Sequence, residues 1–409
     1  MRGLGGLATF GIALALLGPV SARTLVINSN TSDPAPRAAW AAAVAGFQSE
    51  NPDIEVKFNV YDHESYKKSI RNWLTGASPD VVFWFAGNRM RGFVGRKLLT
   101  DISTLFTTEV RTELYRAAID LVSVDGRQYG VPYSYYQVGL YFRRDLFERA
   151  GLKDAPRDWD ELVVACRKLK ADGVEPIAIG SKDLWPTAAW FDYLDLRING
   201  HAFHMDLMRG AVPYTDERVR ALFLKWQELL DLGCFAKNHA SLSWQESQAL
   251  LYQGRAAMML IGNYIVPNFP PEVRDRMDFA PFPAISPGVG RFEDAPMNSI
   301  HIPARARNKD DAKRFLAYVL RADVQEKINR ALLLLPVNRN SAVADDRFLK
   351  KGQALLTNAE ALAQFFDRDT DEDLATIAMK GFQEFMINPE RLDAVLAGIE
   401  RARRRIYKN

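Results

Sequence analysis

Residues 24–84 read TLVINSNTSDPAPRAAWAAAVAGFQSENPDIEVKFNVYDHESYKKSIRNWLTGASPDVVFW, and their hydrophobic period changes repeatedly. Leu25, Val26 and Ile27 form a short apolar run. Trp40, Val44 and Phe47 then recur at helical spacing until Asn51-Pro52 stops them, because the residue before a proline is pushed out of the helical region. Ile54, Val56, Phe58 and Val60 alternate as in a strand, Tyr66, Ile70 and Trp73-Leu74 return to helical spacing, and Asp80 to Trp84 is a buried strand again. This βαβαβ order predicts parallel strands joined by right-handed crossovers. It places loops at the carboxyl ends of the strands, where ligands of open α/β sheets bind.

Downstream, SVDGRQYGVPY (residues 123–133) carries Asp125-Gly126, suited to a tight hairpin turn. The α/β pattern then restarts, with a helix opened by Asp158 and Glu161 as a capping box and a strand from Pro176 to Ile179. In SWQESQALLYQGRAAMMLIGNY (residues 243–264) a helix with a polar start at Ser247 feeds an apolar strand, Ala256 to Ile261. That strand ends in Gly262, Asn263 and Tyr264, a flexible residue, an amide and an aromatic ring. A terminal helix follows Asn388-Pro389-Glu390, with Leu392, Val395, Leu396, Ile399 and Ile406 on one face and a basic end that complements the helix dipole.

A chain of 409 residues is too long for one hydrophobic core and comfortable for two. Its first 22 residues have an early charge at Arg2, an apolar stretch through Leu17, Gly18-Pro19 and then Val20-Ser21-Ala22. They read as a secretory signal cut after Ala22. Arg23 rather than cysteine follows the cut, which gives no lipid-anchor signal, and the expectation is a freely diffusing periplasmic protein without cofactor. The 53 basic and 50 acidic residues nearly cancel, so no global field favours nucleic acid. Cys166 and Cys234 sit in apolar helical patterns, where free buried thiols are at least as plausible as a bridge. His201 and His204 with Asp206 are weak metal candidates without a further spaced partner. Asp192 and Asp195 are the carboxylates a glycosidase would need, at a spacing also ordinary for a helix.

The blocks FQSENPDIEVKF (47–58), LTGASPDVVFWFAGNRMRGFVGRKLLTDIS (74–103), ALLYQGRAAMMLIGNY (249–264) and NKDDAKRFLAYVLRADVQEKINR (308–330), with others between them, follow one another in a familiar order. The chain resembles the extracellular solute-binding proteins of carbohydrate ABC transporters, the group that includes maltose-binding proteins. The resemblance implies a periplasmic-binding-protein-like α/β fold. Two lobes, residues 23–131 with 284–335 and residues 132–283 with 336–409, would be joined by crossings near Pro132–Gly139, Asp278–Ala284 and Leu335–Asn338. The implied function is capture of a mono- or oligosaccharide in the interlobe cleft, without catalysis, and its delivery as a monomer to the transmembrane subunits of an ABC permease. The alternatives are a polyol, glycerol phosphate or sugar acid with Arg89 as the anion partner, or a periplasmic carbohydrate-active enzyme.

Carried over residue by residue, the resemblance implies ligand contacts from Trp84, Asn88 and Arg89 in the first lobe. Tyr136 would face the cleft from the first crossing. Asp183, Trp185, Asn263 and Tyr264 would contribute from the second lobe. A C-terminal stacking aromatic is represented only by Phe365 or Phe366. An aromatic ring beside an amide suits a sugar, whose C–H face packs on the ring and whose hydroxyls need donors and acceptors.

Overall fold

The structure is a computed structural model and describes residues 23–408; the leader read at residues 1–22 lies outside the described residues. Its first half contains β1 (Arg23–Ser29), α1 (Pro34–Glu50), β2 (Ile54–Val60), α2 (His63–Thr75), β3 (Val81–Phe85), α3 (Asn88–Gly95), β4 (Val131–Tyr135) and β5 (Val138–Arg143). These are followed by α4 (Trp159–Ala171), β6 (Glu175–Ile177), α5 (Trp185–Ile198), α6 (Trp244–Tyr252), β7 (Ala256–Gly262), β8 (Met277–Ala280) and β9 (Met297–His301). The C-terminal part adds α7 (Ala322–Leu332), α8 (Arg347–Thr357), the short α9 (Phe366–Asp369), α10 (Glu372–Ile387) and α11 (Leu392–Ile406).

Two sheets organise the molecule. The first has the order β2-β1-β3-β9-β4. Its first three strands are parallel, as the βαβαβ pattern requires, and β9 closes it antiparallel to both β3 and β4. The second has the order β8-β5-β7-β6, with β5 antiparallel to β8 and β7, and β6 parallel to β7. Only Tyr136 and Gln137 separate β4 of the first sheet from β5 of the second, so the chain changes sheets there within two residues.

Local chemistry explains the joints. Asp80 ends the turn into β3, and its carboxylate accepts from the backbone N–H groups of Val26, Arg307 and Asn308 at 2.9, 3.0 and 2.8 Å. In the hairpin, Asp125 and Gly126 have φ of 49° and 76°, the left-handed pair that a two-residue turn needs. The helix before β7 starts earlier than its apolar pattern indicates: Ser243 and Glu246 form a reciprocal capping box that begins α6 at Trp244. At Asp158 the box is only half formed, because the Glu161 carboxylate accepts from the Arg157 N–H instead. Cys166 and Cys234 are free and buried.

Candidate ligand cavity

Between the sheets lies a cavity of about 150 Å³. Its floor comes from the loop after β1 (Asn30 to Asp33), from His63 and Lys67 of α2, and from Phe85 at the carboxyl end of β3. Opposite stand Trp185, Trp244 and Tyr264, and a third wall is built by Phe365, Asp367 and Arg368. Tyr136, at the joint between β4 and β5, also lines it.

The aromatic rings form a box. Trp244 and Tyr264 meet edge to face at 5.5 Å, Trp185 lies 6.0 Å from Trp244, and Tyr136 meets Tyr264 at 5.2 Å and 88°. Gly262 makes this packing possible, because a Cβ there would collide with the Tyr264 ring and lie 2.8 Å from the Tyr136 ring. That accounts for the glycine after β7. Trp185 Nε1, Trp244 Nε1 and Tyr264 Oη are buried without hydrogen-bond partners among the described residues. Burial holds the Tyr264 phenol well above its usual range, so it stays a donor.

Arg368 is the polar centre. Its Nη2 donates to Tyr136 Oη at 2.9 Å, its Nη1 donates to the Met297 carbonyl at 3.2 Å, and its guanidinium lies 4.1 Å from the Phe85 ring centroid. Asp33 faces it chemically. It occupies the N-cap position of α1 but makes no side-chain cap bond. Pro36 is the third helical residue and lacks the N–H that such an aspartate commonly takes, so the carboxylate is left free. Burial, then the charge of Asp62, raises its pKa above the ordinary carboxylate value. His63 is pushed down to about 3 by burial and by Lys67 and Arg368, and is neutral at physiological pH.

Of the residues expected from sequence, Tyr136, Trp185 and Tyr264 line the cavity, and Trp84, Asn88, Arg89, Asp183 and Asn263 do not. Trp84 is 2% exposed and packs on Phe93 at 5.4 Å; strand alternation gives the cavity side to its neighbour Phe85. Asn88 donates to the Asp369 carbonyl. Arg89 is spent on Asp367, through Nε to its carbonyl at 2.6 Å and Nη2 to its carboxylate at 2.9 Å, and on Glu372 at 3.1 Å. Asn263 accepts from Tyr141 Oη at 2.7 Å and donates to the Leu333 carbonyl. Asp183 precedes Leu184, whose φ of 67° turns the chain into α5. Its charge adds to burial in raising the Glu64 carboxyl.

Phe365, rather than Phe366, is the C-terminal aromatic of the cavity; Phe366 is fully buried against Phe191 at 5.3 Å. Sequence reading missed Asp33, Phe85, Trp244 and Arg368. An aspartate-proline step at the carboxyl end of a first parallel strand was the available signal for Asp33.

The weaker candidates have structural tasks. Asp192 accepts from the Phe366 N–H at 2.9 Å, and Asp195 pairs with His204 at 2.9 Å, all three side chains being fully buried and outside the cavity. Among the described residues no group of three or more His, Cys, Asp or Glu is arranged to hold a metal ion. No helix among them is long and apolar enough to cross a membrane.

Comparison with known proteins agrees with this geometry. An ABC transporter extracellular-binding protein of Pyrococcus horikoshii is 25% identical over 317 residues, 75% of this chain and 70% of that protein. The multiple sugar-binding protein of Streptococcus mutans is 21% identical over 301 residues, 69% of this chain and 68% of that one. The crystal structure of the bacterial solute receptor AcbH, described as having an exclusive preference for β-D-galactopyranose, superimposes with a TM-score of 0.89 at 30% identity, covering 94% of this chain and 99% of that one. The model of the bacterial extracellular solute-binding proteins matches residues 30–326. With most of its length matched and two sheets enclosing an aromatic cavity, the chain belongs to the bacterial extracellular solute-binding protein family.

Proposed function

We propose that this protein is the substrate-binding component of a carbohydrate ABC importer, taking its ligand between the two sheets and presenting it to the transmembrane subunits of a permease. The observation that carries this reading is the aromatic box that lines the cavity. Apolar rings accept the C–H face of a sugar, and the Asp33 carboxylate and Arg368 guanidinium that line the same cavity suit its hydroxyls. The sugar specificity of AcbH and the name of the Streptococcus relative point the same way.

Binding without catalysis also fits the cavity. A glycosidase needs two free carboxylates flanking the scissile bond. Here Asp33 and Asp367 are the lining carboxylates, and Asp367 is paired with Arg89.

The lobes are drawn from strand membership. One comprises β1 to β4 with β9 and α7, and the other β5 to β8 with α5, α8 and α10, since α8 packs on β8 and α10 on α5. The first boundary then falls at Tyr136-Gln137, a few residues beyond the one before Pro132. In this reading the chain works as a monomer in the periplasm, with the leader removed after Ala22. The intact mass of the exported protein tests the cut. Calorimetric titration with a sugar panel, combined with product analysis, tests the function: binding near one ligand per chain without turnover is expected, and released product at high stoichiometry overturns it.

A further inference from the structure

We propose that the cavity takes one neutral pyranose monosaccharide and excludes glycosidically extended sugars, open-chain polyols and sugar acids. This rests on the carbohydrate-receptor reading and narrows it. Three observations meet here.

Size is the first. A volume of about 150 Å³ lies under the range of about 300–1,000 Å³ typical of drug-sized ligands. The wall built by Phe365, Asp367 and Arg368 is tied down. Phe366 N–H donates to Asp192, Asp367 is held twice by Arg89, and Arg368 is held by Tyr136 and the Met297 carbonyl. A second ring on that side breaks these bonds.

Charge is the second. The lining holds two carboxylates and two obligate cations. Lys67 is paired with Glu64 at 3.1 Å and Asp367 with Arg89 at 2.9 Å. Asp33 and Arg368 have no ion-pair partner among the described residues, which leaves one free charge of each sign. An anionic ligand paired with Arg368 still leaves the like charge of Asp33 in the same cavity, whereas a neutral one offers hydroxyl protons to Asp33 and hydroxyl oxygens to Arg368.

Shape is the third. The rings of Trp185, Trp244 and Tyr264 pack together and line the cavity, which gives it a continuous apolar surface. A pyranose presents a rigid flat C–H face and ring hydroxyls together. An open-chain polyol has the same hydroxyls but no fixed face, and it must lose rotameric freedom to make one.

The test is calorimetric titration of the exported protein with D-galactose, D-glucose, D-mannose, D-xylose and L-arabinose, each alongside lactose, maltose, galactitol and D-galacturonate. At least one monosaccharide should bind at least 100-fold more tightly than every disaccharide, polyol and acid tested. A disaccharide, galactitol or galacturonate that binds as tightly as the best monosaccharide overturns the single-ring proposal while leaving the carbohydrate-receptor reading in place. Binding by none of these compounds overturns both.

Discussion

Arg89 and Asp367 join the start of α3 to the short helix α9 across 278 residues of sequence, with the guanidinium 2.9 Å from the carboxylate and both side chains 8% exposed. The pair changes the chemistry of the cavity. The arginine beside β3 is consumed by protein, and the lining cation without an ion-pair partner among the described residues is the neighbour of Asp367, Arg368.

Breaking that pair exposes its structural worth. Arg89→Ala leaves the Asp367 carboxylate buried and unpaired, and should lower unfolding free energy by about 3–5 kcal/mol. Burial pushes the Asp367 pKa up, but Arg89, Lys67 and Arg368 outweigh it and the net direction is down. A lowered carboxylate contributes stability that is present above the ordinary value and lost as pH falls through the lowered one. Urea denaturation at several pH values should therefore show the gap between parent and variant narrowing below about pH 4. A gap that is constant down to pH 3 would exclude Asp367 as the source.

The aromatic wall separates binding from folding. Trp185→Ala and Tyr264→Ala should each weaken binding by roughly 1–3 kcal/mol while the protein stays folded. Trp84→Ala should do the reverse, costing about 3–5 kcal/mol of stability through the cavity it leaves. Titration with the best sugar and thermal melts on the same three variants decide the assignment. Normal affinity in both Trp185→Ala and Tyr264→Ala would remove the box from the site.

Asp33→Asn tests the unused cap. The carboxylate makes no cap bond, so the folded protein should change by less than about 0.5 kcal/mol. Ligand affinity should fall by about 1.5–3 kcal/mol, the scale of a hydrogen bond to a charged group. A melting temperature that drops while affinity holds would return Asp33 to an ordinary capping role.

Outside the cavity lining, both carboxylate oxygens of Asp294 and one of Asp192 are buried without hydrogen-bond partners among the described residues. Burial raises both pKa values strongly, with Glu293 adding to it at Asp294 and Asp294 adding to it at Asp192. A raised carboxylate contributes stability that is full below the unfolded value, near 4, and lost as pH rises through the folded one. Denaturant midpoints of the parent should fall from acid toward alkaline pH, and Asp294→Asn should flatten that slope. A variant with the parental slope would show that Asp294 does not carry it.

Much of this was written in the residue pattern. The parallel order of β1, β2 and β3 follows from periods that change between Leu25 and Trp84, and Tyr264 was marked by an apolar strand that ends in glycine, amide and ring. Those signals are local, because a strand or helix shows its period within a few turns. The phase of β3 is different. All five of its residues are buried, so alternation could not say whether Trp84 or Phe85 faces the cavity. Nor could sequence say which arginine is free. Arg89 and Arg368 are alike as side chains, and only the tertiary approach of Asp367 to Arg89 neutralises one and leaves the other at the cavity. Asp33 is the same case in reverse: proline chemistry leaves its carboxylate without a cap bond, but only the packing of the sheets brings it and Arg368 into the lining of one cavity.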